Sequence, residues 1–207
     1  MTLDFWYEFA STYSYPAAMR IEDAAARVGV GVSWRPFLLG PVFAAQGWTT
    51  SPFNLFPVKG RYMWRDLQRI CEGHGLAFRQ PAPFPQASLL AARTALALAD
   101  AARPAFSKAV YAAQFADGRD IGKPETIEGV LNGLGHDSGA VLARASSQPV
   151  KDALRTATEE AQRLGIFGAP AFIAPDGELF WGNDRFDQAL AWAKRQDKSE
   201  VKDRQSP

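Results

Sequence analysis

The strand signals of this chain lie at its two ends, and what lies between reads as helix. Leu3 to Phe9 is short, aromatic-rich and partly alternating, the pattern of a strand. Ser11, Thr12 and Ser14 are helix-capping types standing before a helical pattern from Tyr15 to about Val28. Pro16 suits the first turn of that helix and Gly29 its end. Val30 to Phe37 alternates again, as a second strand. At the other end, Ala171 to Ala174 and Glu178 to Trp181 flank Pro175-Asp176-Gly177, a strong turn signal, and read as a hairpin. An amphipathic helix from Asp184 to Lys194 follows, and a polar, disordered tail is expected from Asp197 to Pro207.

The middle is different. From Lys59 to about Gln162 the apolar residues keep helical spacing, as in Tyr62, Met63, Leu67, Ile70 and Cys71. Ala87 to Ala102 reads as one alanine-rich helix after the proline-rich stretch from Pro81 to Pro85. Pro104, Pro124 and Ser147 with Pro149 each open a further helix, and Asp137 or Ser138 caps another. The order is therefore βαβ, a block of helices, then ββα. βαβ followed by ββα is the element order of the thioredoxin fold. The expected architecture is an α/β thioredoxin-like fold with a large all-α domain inserted between its halves. Residues 1–40 and 165–196 then form the sheet domain, and residues 41–164 the helical one.

Composition excludes several classes of function. Lys+Arg is 23 against 22 for Asp+Glu, without the basic excess of a nucleic-acid binder, so no nucleic-acid partner is expected. No apolar run approaches the ~20 residues of a membrane span. The opening MTLDFWYEF lacks the basic and apolar regions of a secretory signal, so a cytoplasmic protein with no membrane partner is expected. The one cysteine, Cys71, lies in the apolar phase of its helix and reads as a buried hydrophobe rather than a nucleophile. His74 and His136 are isolated, so no metal site is expected.

Four segments carry possible chemistry. In a thioredoxin-like sheet, the turn after the first strand meets the start of the first helix, here Ala10-Ser11-Thr12-Tyr13-Ser14. Redox members place Cys-x-x-Cys there, and hydroxyls at Ser11 and Ser14 cannot exchange disulfides. A hydroxyl and free N–H groups at a helix N-terminus suit an anion, including a thiolate brought by a ligand. Ser11 as a plain N-cap is the competing reading. In the segment from Gly165 to Phe172, Pro170 precedes a strand: either it is an ordinary trans proline at the strand start, or a cis Ala169–Pro170 bond presents the Ala169 backbone to whatever lies over the Ser11 helix. Asn183 and Asp184 are placed either to cap the last helix or to receive a ligand's carboxylate and ammonium. Lys59 and Arg61 open a helix, where the dipole disfavours cations. They serve an anionic ligand or are solvated charges.

Together these segments resemble a known family. Phe5-Trp6-x-x-Phe9-x-Ser11-x-Tyr13-Ser14-Tyr15, Pro57-x-Lys59-x-x-Tyr62-Met63-x-x-Asp66-Leu67, Gly165-x-Phe167-Gly168-x-Pro170 and Phe180-Trp181-Gly182-Asn183-Asp184-Arg185 are similar to motifs of the 2-hydroxychromene-2-carboxylate isomerases. That family is close to the kappa-class glutathione transferases and more distantly similar to DsbA-type oxidoreductases. The resemblance implies a homodimer with glutathione as cofactor and a small aromatic or electrophilic substrate. It implies Ser11 as the catalytic serine facing the glutathione sulfur, and Ala169 with Pro170 as a backbone clamp. It implies Asn183 and Asp184 as the γ-glutamyl site, and Lys59, with Asn54, near the glycyl carboxylate or an acidic substrate. The family reaction converts a chromene carboxylate to a benzylidenepyruvate. A glutathione transferase or peroxidase, or a non-catalytic glutathione-binding protein, are the alternatives. Thr12 stands where the family commonly has Pro, and Ser51-Pro52-Phe53-Asn54 replaces its Asn-x-Pro-Pro, which bears on the substrate more than on the cofactor.

Overall fold

The computed structural model describes the backbone of residues 1–203 and the side chains of residues 1–195. Strand β1 (Thr2–Tyr7), helix α1 (Ser14–Val28) and strand β2 (Gly31–Pro36) form the opening βαβ. Eight helices follow: α2 (Leu39–Ala45), α3 (Pro52–Leu55), α4 (Pro57–Gly73), α5 (Leu89–Ala97), α6 (Arg103–Phe115), α7 (Pro124–Gly133), α8 (Ser138–Ala145) and α9 (Gln148–Arg163). Then come β3 (Ala171–Ile173), β4 (Leu179–Trp181), a short 3₁₀ turn (Asn183–Arg185) and α10 (Phe186–Asp203). The last helix runs beyond Lys194, and the part of the expected tail from position 204 onward lies outside the described residues.

The four strands make one sheet in the order β2-β1-β3-β4, with β1 parallel to β2 and antiparallel to β3. The two ends of the chain thus meet at the centre of the sheet. Phe5 pairs with Trp34 on one side and Phe172 on the other. Its ring meets Trp34 edge-on at 4.9 Å between centroids and stacks on Phe172 at 5.5 Å. All three are buried, and β1 reads as an aromatic strand because both its neighbours supply rings to the same layer. This is the thioredoxin-like arrangement expected from the element order, with the helices inserted between its halves.

Local signals set most boundaries. Gly29 ends α1 at φ 74°, in the left-handed region, with its N–H on the Ala25 and Ala26 carbonyls. Asp137 caps α8 by accepting the Ala140 N–H at 3.0 Å. One expectation fails. The alanine-rich run is not a single helix to Ala102, because Leu98 turns extended (φ −84°, ψ 153°) and is buried. The Arg103 guanidinium donates to the Ala95 carbonyl at 2.9 Å and to the Trp34 carbonyl at 3.1 Å, so one of the free carbonyls at the helix end gains a partner and the break is tied to the sheet. Among the described residues, no helix is long and apolar enough to cross a membrane.

Candidate functional site

Ser11 lies in the turn between β1 and α1. It is not a helix cap: the N-cap position of α1 belongs to Tyr13, which makes no side-chain capping bond. The Ser11 N–H instead donates to the Glu8 carbonyl at 2.9 Å, and its hydroxyl donates to the Ala169 carbonyl at 2.9 Å. Thr12 is also drawn away from capping, its hydroxyl meeting the Met63 sulfur on α4 at 3.2 Å. The Ala169–Pro170 bond is cis, which decides between the two readings of Pro170. The Pro170 carbonyl accepts the Gly182 N–H at 2.9 Å, which ties the proline turn to the segment after β4.

A cavity of about 880 Å³ opens over this turn. Its wall includes Ser11, Lys59, Ala169, Asn183 and Asp184, five residues from four separated stretches of the chain. Lys59 is in the first turn of α4, with its ammonium 4.7 Å from the centroid of the Phe56 ring. Asn54 does not share the wall. On α3 it donates to the hydroxyl of Thr50, a wall residue, at 3.1 Å, while its neighbour Phe53 lines the cavity. Pro170 lies behind Ala169 rather than on the wall. The rest of the wall is largely aromatic. Phe167 and Trp181, about half exposed, pack at 4.8 Å between centroids at one side. Trp48 and Phe84 contribute elsewhere. Cys71 takes no part: it is buried, and burial pushes its thiol up to about 11.

Two features escaped the sequence. Arg20, on α1, donates to the Asn183 side-chain oxygen at 2.8 Å and to the Pro16 carbonyl at 2.9 Å, with its guanidinium 4.6 Å from the centre of the Phe186 ring. A guanidinium only donates, so it must meet the amide oxygen, and the Asn183 NH₂ is left for the cavity. Nothing local to Arg20 signals this contact. Glu8 is the other: it lines the cavity while only 4% exposed. A charged residue within the aromatic run Phe5 to Phe9 was the available sign.

The family described as DSBA-like thioredoxin domain matches residues 2–191. The chain belongs to that family. Within it, the chain is 30% identical over 187 residues to a 2-hydroxychromene-2-carboxylate isomerase of Sphingobium xenophagum, covering 90% of this chain and 94% of the relative. It is 24% identical over 200 residues to glutathione S-transferase kappa 1 of Homo sapiens, covering 90% and 88%. A solved 2-hydroxychromene-2-carboxylate isomerase superposes with a TM-score of 0.85 at 27% identity, covering 98% of each chain. The DsbA-like fold therefore comes here with serine, not cysteine, at the turn, among relatives that are isomerases and glutathione transferases.

Proposed function

We propose that this protein is a glutathione-dependent isomerase of the 2-hydroxychromene-2-carboxylate type. The observation that carries the reading is the Ser11 hydroxyl. It is held 2.9 Å from a backbone carbonyl at the edge of a large, aromatic-walled cavity. That carbonyl is a neutral acceptor, and a thiolate at the same edge would take the hydroxyl proton as a charge-assisted hydrogen bond.

The donor set fits glutathione. Asp184 offers a carboxylate to an ammonium, the Asn183 NH₂ suits a carboxylate, Lys59 offers a cation to a second carboxylate, and Ser11 a hydroxyl to the sulfur. Glutathione supplies, when bound, a thiolate able to add reversibly to a conjugated double bond. Ser11 lowers the cost of holding that charge, as a hydrogen bond to the ionised form does. The backbone edge at Ala169 and the charged groups fix position, and fixed position is worth several orders of magnitude in rate. Phe84, Trp48 and the Phe167–Trp181 pair offer an aromatic substrate flat apolar surface. A glutathione-rich cytoplasm is the compartment this chemistry calls for.

The test is to follow chromene carboxylate absorbance with and without glutathione; turnover indifferent to glutathione would sink the reading. Ser11→Ala is expected to lower kcat by about 10²-fold, the scale of losing one preorganised donor. An undiminished kcat would remove Ser11 from the chemistry. A second reading, a glutathione transferase, is favoured by the likeness to the kappa enzyme over 90% of the chain. Conjugate formation without isomerisation would select it.

A further inference from the structure

The cavity wall beside Ser11 holds a carboxyl group with no cation. Glu8 is 4% exposed and forms no ion pair with a described residue. Its Oε2 accepts the Ala10 N–H at 2.8 Å, and the Ser88 hydroxyl at the start of α5 is a second hydrogen-bond partner. Its backbone is held as firmly: its carbonyl accepts the Ser11 N–H and the Tyr111 hydroxyl, each at 2.9 Å. The titratable group in contact with it is Tyr111 on α6, whose ring packs beside that of Tyr7 on β1, while Tyr13, Lys59, Asp66 and Asp184 share the cavity wall. On the same wall Gln86 is 5% exposed. Its oxygen accepts the Ile121 N–H at 2.9 Å, and its NH₂ has no partner among the described residues.

A carboxyl group in this setting stays neutral more readily than one in water. Burial pushes Glu8 up to about 7, against the opposing pull of Ser88 and of the Ala10 and Ser11 N–H groups. A group that titrates near neutral pH both gives and takes a proton within one turnover.

We propose that Glu8 is the proton-exchanging residue of this cavity, lending a proton to an oxygen of the organic substrate and recovering it in the same turnover. The inference rests on reading the cavity as the site of a reversible addition. When a conjugated double bond is opened by addition, its electron pair moves onto the substrate's carbonyl or carboxyl oxygen. The Glu8 O–H bond breaks, an O–H bond forms on that oxygen, and Glu8 is left as carboxylate. When the double bond is restored the proton returns, so no proton is consumed. The substrate class this selects is a conjugated acid or ketone whose oxygen reaches the wall between Ser11 and Ser88.

Two readouts test this. The first needs no ligand: infrared difference spectra of the protein between pH 5 and pH 9 should show a protonated-carboxyl band. It should titrate near neutral pH and be missing in Glu8→Gln. No such band overturns the inference whatever the activity. The second is the pH profile of kcat with glutathione and chromene carboxylate. Glu8→Gln keeps an acceptor for the Ala10 N–H, so the fold and the glutathione Kd should stay within about threefold. Its kcat should fall about 10²–10⁴-fold and lose the near-neutral limb, with Glu8→Asp recovering part of the rate. A full kcat with an unchanged profile in Glu8→Gln overturns the exchange role. Wild-type turnover independent of glutathione would sink the proposed function instead, and the carboxyl band would still decide on Glu8.

Discussion

Glu8 has a consequence for stability as well as for chemistry. Its carboxyl binds a proton more tightly folded, at about 7, than at its ordinary 4.5. Between those values the folded chain holds more protons than the unfolded one. The stabilisation from this group is therefore complete below about pH 4.5 and is lost as pH rises through about 7. The displacement from 4.5 to about 7 corresponds to roughly 3–4 kcal/mol at about 1.4 kcal/mol per pH unit. Denaturant melts of the wild type and of Glu8→Gln at pH 5 and pH 8 should show this slope in the first and its absence in the second. Equal slopes would mean that Glu8 ionises normally. Arg20 makes a second residue-level claim. Arg20→Met frees the Asn183 amide to turn over, and should raise the glutathione Kd about 10-fold, the loss of a charge-assisted hydrogen bond, with little change in kcat. Calorimetric titration measures this, and an unchanged Kd would leave Arg20 a packing residue only.

Among the elements, the segment before β3 and the strand after it constrain each other. A side chain at Gly168 would begin 2.5 Å from the Trp181 indole nitrogen. Trp181 is half exposed, so its indole can yield toward solvent and Gly168→Ala should not unfold the protein. It should displace the indole from Phe167, changing tryptophan emission and weakening aromatic ligands, with a small change in Tm. An unaltered emission spectrum would show that the indole never packed there. The same scale explains what could be read from the chain beforehand. Gly29, Pro124 and Asp137 act through their own backbone or the next turn, so the ends they set were legible. The break after Ala97 is made by Arg103 together with the Trp34 carbonyl, and no local pattern carries that. Ser51, which accepts the Phe53 N–H, and Pro52 at the first position are likewise local signals for the start of α3. Within the site, Ser11, Lys59, Ala169, Asn183 and Asp184 were legible as motifs and do share one wall. Asn54 stands one hydrogen bond behind the wall, on Thr50, because in the four-residue α3 it is Phe53 that packs inward, 6.3 Å from the Tyr13 ring.

For the molecule as a whole, the helical insertion and the sheet share one core. Phe5 and Tyr7 of β1 belong to the same buried cluster as Phe106 and Tyr111 of α6. The Tyr7 and Ser107 hydroxyls join across it at 2.7 Å. A shared interior leaves neither part a surface along which to separate. Calorimetric unfolding should therefore be a single transition, with calorimetric and van't Hoff enthalpies in agreement. Two resolved transitions would show that the insertion melts by itself. The central pairing of β1 with β3 also has a temporal side. Ser11 and the carbonyl it meets are 158 positions apart. At ~5–20 residues per second of synthesis, roughly 8–30 s pass on the ribosome between the making of one and of the other. During that interval the first strand waits with an unmatched aromatic edge, a span in which a chaperone has work to do. Any message cut short before Ala169 yields the serine without the edge it faces.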